Sequence, residues 1–89
     1  MRHQTKQTEQ MNNFNHTASN IINEMAAKYA RVEGATVDAR NIYFHAWGHE
    51  NSAWGARVRR YFRTKGVNVA TEYVKKEDGF VMIKITPAA

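Results

Sequence analysis

With 89 residues the chain can bury one modest core, its 43% apolar content is that of a globular protein, and its formal net charge of +5 makes it basic. No window approaches the roughly 18 consecutive apolar residues of a membrane span, and the polar amino terminus lacks the apolar core of a signal peptide. Without cysteine there is neither a disulfide framework nor thiolate chemistry, so a cytoplasmic protein held together by packing is expected.

Residues 1 to 16, "MRHQTKQTEQMNNFNH", are rich in Gln, Asn and Thr. They offer little to bury, and ordering them would cost backbone entropy, so they are expected to form a flexible, disordered polar tail ahead of a single small domain over residues 17–89. From Thr17 onward Ile21, Ile22, Met25, Tyr29 and Val32 recur at helical spacing, and Gly34 stands where a helix-stopping glycine belongs. This pattern predicts the first helix. "RNIYFHAW" then alternates Ile42, Phe44 and Ala46 with Tyr43, His45 and Trp47, the period of two that predicts a strand with the first set facing the core.

Gly48 breaks that strand, and Asn51 or Ser52 can cap a second helix that runs to about Lys65, with Gly66 as its stop. Stepping roughly 100° per residue places Trp54, Val58, Tyr61 and Phe62 in one stripe. Arg57, Arg59, Arg60 and Arg63 spread over the rest of the helix. Two more strands follow, "VNVATEYV" and "FVMIKIT", joined through "KKEDG". A two-residue Asp-Gly turn would put Tyr73 on the same face as Lys84. A three-residue loop of Glu77, Asp78 and Gly79 with a glycine bulge pairs Lys76 with Phe80 and Tyr73 with Ile83. Val67, Val69, Thr71, Tyr73, Val81, Ile83 and Ile85 then share an apolar face, with Glu72 opposite Lys84 on the other, and this bulged loop is the expected one.

The expected fold is therefore α+β in the order α-β-α-β-β, with a three-stranded mixed sheet and both helices on one face. The first strand, second helix and second strand should form a right-handed crossover. "FVMIKI", the most apolar strand, is expected at the centre.

Charge is divided unevenly along this order. Residues 1–50 hold five cations and five acids, whereas residues 51–89 hold eight cations and three acids, with no acid from Ser52 to Thr71. Like charges close together on a helix destabilise it slightly, and a polyanionic partner would offset that. Arg57, Arg59, Arg60, Arg63 and Lys65, extended by Lys75 and Lys76 at the hairpin tip, are the candidates for contacting DNA or RNA phosphates. Tyr43, His45, Trp47, Phe80 and Met82, on the strand faces turned from the core, are candidates for stacking on unpaired bases or for a homodimer interface.

His45, His49 and Glu50 are the nearest approach to an acid-base or metal cluster, with Arg57 as an anion partner. The strand pattern and Gly48 keep the two histidines off a common helical face, and no third strong ligand is near. No phosphate loop, nucleophile elbow, heptad run or repeat is present, so neither an enzyme nor a metal or other cofactor is expected. The expectation is a small basic nucleic-acid-binding module. The alternative is an inhibitor or adaptor whose arginine face docks an acidic protein surface, and neither reading involves a membrane.

Overall fold

The computed structural model describes residues 2–48, 53–77 and 79–88. Six elements follow one another: α1 (Arg2–Lys28), β1 (Val32–Asp38), β2 (Asn41–Trp47), α2 (Trp54–Thr64), β3 (Val69–Glu77) and β4 (Phe80–Pro87). The class is α+β, as composition and periodicity imply. The sheet has four strands rather than three, in the order β1-β2-β4-β3, and each neighbouring pair is antiparallel, so it is not a mixed sheet. β4, the "FVMIKI" strand, is central as expected. β2 and β3 consequently run parallel to each other with β4 between them, and α2 connects them in a split β-α-β unit.

Two differences from expectation lie in the first 38 residues. Helical spacing carries α1 only to Lys28, and a turn closed by Val32 N–H to Tyr29 O at 3.0 Å sends the chain into β1. Val32 is the first strand residue, and Gly34, with φ 141°, sits inside β1 where the register with β2 shifts, not at a helix end. β1 was hidden because Val32 also fits the helical spacing and because most of the strand is exposed at the sheet edge. At the other end, α1 extends back through the segment expected to be a disordered tail. Adding a residue to an existing helix costs far less than nucleating one, and Phe14 already packs against the core. Asn15, 9% exposed, donates from Nδ2 to Arg40 O at 3.2 Å and so ties α1 to the β1-β2 turn.

The β3-β4 hairpin resolves the register differently from the expected loop. Glu77 pairs with Phe80 and Lys76 with Val81, so two positions, not three, separate the strands. The extra residue is Val74 instead: the register shifts between Tyr73 and Lys75, and beyond it Tyr73 pairs with Ile83 and Glu72 with Lys84. The apolar strip is preserved by a bulge within β3. Asp78, part of the expected loop, lies outside the described residues, as do Asn51 and Ser52, the expected caps of α2.

One core lies between the helices and one face of the sheet. Ile42, Phe44, Ala46, Val81, Ile83 and Ile85 from the strands meet Ile22 and Met25 of α1 and Trp54, Val58 and Phe62 of α2, all essentially inaccessible to water. Phe44 and Trp54 rings meet at 5.5 Å. α2 ends in paired bonds from Gly66 N–H to Arg63 O and from Val67 N–H to Phe62 O, with Gly66 at φ 80°, which is a Schellman cap. Among the described residues no helix is long and apolar enough to cross a membrane. Tyr61, placed with Phe62 in the sequence-derived stripe, is only half-buried, and its hydroxyl donates to Glu24 Oε1 at 3.2 Å. Phe62→Ala should therefore cost about 3–5 kcal/mol. Tyr61→Ala should stay within about 0.5–3 kcal/mol. Chemical denaturation of the two variants checks this, and equal losses would place Tyr61 in the core after all.

Candidate functional site

Because both helices cover the same sheet face, the side chains at alternate strand positions emerge on a face that no described element covers. The β2-β4 register sets Trp47 opposite Phe80, His45 opposite Met82 and Tyr43 opposite Lys84. The five residues singled out for stacking are thus brought together on the two central strands. Trp47 and Phe80 ring centroids lie 4.8 Å apart at 65°, and His45 and Phe80 lie 5.8 Å apart at 35°. Trp47 is 47% exposed, and Tyr43, His45, Phe80 and Met82 are half-buried. Lys75, opposite Met82, and Lys84 bring positive charge to this face, and Glu72 stands opposite Lys84.

Two polar contacts hold the aromatic row in place, and both come from the strand that sequence periodicity did not show. Trp47 Nε1 donates to Glu33 Oε2 at 3.0 Å, and Thr36 Oγ1 lies 2.7 Å from His45 Nε2. Burial pushes the His45 imidazole below its ordinary value, with the nearby Glu33 carboxylate acting in the opposite direction. The ring is thereby favoured in its neutral form, the form that can accept a hydrogen bond from Thr36.

The arginines of α2 lie on the helical side and are differently engaged. Arg57 is half-buried, with its guanidinium carbon 3.9 Å from the Trp54 ring centroid and 5.5 Å from that of Tyr29. Arg59 Nη1 donates to Thr71 Oγ1 at 2.6 Å, pinning α2 to β3. Lys65 pairs with Glu24 at 2.6 Å, which holds that carboxylate below and the ammonium above their usual values. Arg60 and Arg63 are exposed. The hairpin lysines fall on opposite faces, since Lys75 is opposite Met82 whereas Lys76 is opposite Val81, with its Nζ 5.2 Å from the Tyr73 ring centroid.

Compared with known protein families, curated proteins and solved structures, the chain matches none.

Of the acid-base grouping of His45, His49 and Glu50 with Arg57, only His45 and Arg57 are described, and they lie on opposite sides of the sheet, His45 on the open face and Arg57 in the helical layer. His49 and Glu50 lie outside the described residues. Among the described residues no group of three or more His, Cys, Asp or Glu is placed to hold a metal ion. The lowered His45 value has a consequence for stability. Between the folded and unfolded pKa values the unfolded chain binds the extra proton, so stability is fully present above about pH 6.5 and is lost as pH falls through the folded value. The melting temperature should drop over that window, and His45→Gln should reduce the drop; equal slopes in the two proteins would remove His45 as a source.

Proposed function

We propose that this protein binds single-stranded nucleic acid, with bases stacked on the open sheet face and phosphates attracted by the net positive charge of +5. The observation that supports this most directly is the row of Trp47, Phe80 and His45 rings on the central strands of a sheet whose other face is already filled by two helices. Aromatic side chains displayed on a four-stranded sheet suit unpaired bases, because every base has a stacking face whatever its sequence. Lys75 and Lys84 stand within the same face. Arg60 and Arg63, exposed on the opposite layer, contribute long-range attraction rather than base contacts.

A second reading, that α2 docks an acidic protein surface through its arginines, is favoured by the exposure of Arg60 and Arg63 and by the lack of acids between Ser52 and Thr71. The two readings separate on Trp47. Of the two tryptophans, Trp47 is 47% exposed and Trp54 only 1%, so stacking should quench the emission of Trp47 and leave that of Trp54. Titration with single-stranded oligonucleotides should quench the wild type but not Trp47→Phe, and duplex of the same length should quench less. Trp47→Ala should weaken binding by about 1–3 kcal/mol, the value of one stacked base. The joint change Arg60→Gln with Arg63→Gln should chiefly reduce the salt dependence. Absence of quenching at low salt would contradict the sheet-face reading, and capture of an acidic protein lost in the arginine variant would support the second.

A further inference from the structure

Two adjoining hollows lie between the carboxyl-terminal turn of α1 and the exposed flank of α2. The first, about 230 Å³, is lined by Met25, Tyr29, Arg57, Arg60, Tyr61 and Thr64. The second, about 410 Å³, shares Tyr29 and Arg57 with it and adds Lys28 and Arg31. Four cations and, among the described residues, no carboxylate line the pair. Lys28 has an ordinary explanation, since a cation in the last turn of a helix complements its dipole. Arg57 and Arg60 belong to a different helix and do not.

Arg57 is the telling residue. Its guanidinium carbon lies over the Trp54 ring, 3.9 Å from the centroid, while none of the guanidinium N–H groups meets an acceptor among the described residues. The contact with the ring holds the guanidinium in place and leaves its N–H fork, which matches a phosphate bidentately, available. Among the described residues the neighbouring carboxylate is already committed: Glu24 accepts from Lys65 at 2.6 Å and from the Tyr61 hydroxyl at 3.2 Å. The smaller hollow is below the roughly 300–1,000 Å³ of sites that enclose drug-sized ligands, so it suits one tetrahedral oxyanion rather than a whole nucleotide.

We propose that this groove is a phosphate-binding site in which Arg57 and Arg60 hold a phosphomonoester or inorganic phosphate. Lys28 and Arg31 attract it, and the larger hollow receives whatever the phosphate is attached to. The site is on the helical layer and does not depend on the sheet face.

The test is calorimetric titration with inorganic phosphate at constant ionic strength, with chloride as the reference anion. Phosphate should bind the wild type, and Arg60→Gln should weaken it by roughly tenfold. Arg60 is exposed and, among the described residues, makes no contact that the fold needs, so this variant should melt like the wild type in chloride. Arg57→Lys, which keeps the charge and loses the fork, should also bind more weakly. No binding beyond that of chloride, or equal binding by the wild type and Arg60→Gln, would overturn the proposal. Oligonucleotides with and without a 5′-phosphate distinguish the sources: tighter binding of the phosphorylated strand, lost in Arg60→Gln, assigns the site to a strand terminus. Equal binding of the two strands, with free phosphate still bound, assigns it to a small phosphoester. Loss of oligonucleotide quenching at Trp47 with phosphate binding intact would sink the sheet-face reading and leave this one standing.

Discussion

The fold depends on a single parity constraint in β3. Side chains alternate across a strand, so one extra residue exchanges the two faces of everything beyond it. With a two-position turn between Glu77 and Phe80, a regular ladder would send Tyr73 and Thr71 to the open side. The bulge at Val74 returns them to the helical side, opposite Ile83 and Ile85. Once inward, both residues serve α2. The Tyr73 hydroxyl accepts from Gly55 N–H at 3.0 Å, satisfying one of the free amides at the start of a helix whose N-cap, Ala53, offers no side-chain bond. Thr71 accepts from Arg59, and a Cβ on Gly55 would approach its Oγ1 to 3.3 Å, so helix and strand meet closely there.

That placement of α2 shapes both surfaces of the molecule. Trp54 at its start packs on Phe44 and donates from Nε1 to Trp47 O at 3.1 Å, so the buried tryptophan helps hold the strand that carries the exposed one. The core takes Ile42, Phe44 and Ala46, and alternation then commits Tyr43, His45 and Trp47 to the open face. On the helical side the same tryptophan provides the ring over which Arg57 lies, and Tyr29 of the α1 turn meets Trp54 and Tyr61 edge-on at 6.4 and 6.3 Å. An aromatic sheet face and a cationic groove thus arise from one packing arrangement, on opposite layers.

Alternation made the outward set of Tyr43, His45, Trp47, Phe80 and Met82 legible in the sequence, as it did the central place of β4, because both depend only on period-two patterning in two strongly apolar strands. The edge strand β1 was not legible, since Val32 continues a helical series from Tyr29 and the residues after it are too exposed to leave an apolar pattern. Glu33 and Thr36, which fix Trp47 and His45, were lost with it. The bulge was half legible: an extra residue was required to keep Val69 and Tyr73 on the core face, but placing it in the turn or at Val74 gives residues 67 to 73 the same facing. The contact of Arg57 with the Trp54 and Tyr29 rings needs α1 and α2 to be neighbours, a tertiary fact that no spacing within either helix contains.

The central claim, that the open sheet face receives unpaired bases, is tested most directly by amide and indole NMR shifts during titration with a single-stranded oligonucleotide. Perturbations concentrated at Tyr43, His45, Phe80, Met82 and the Trp47 indole, with the Trp54 indole unmoved, are expected. Perturbations confined to α2 and the α1 turn, with the strand residues silent, would contradict it.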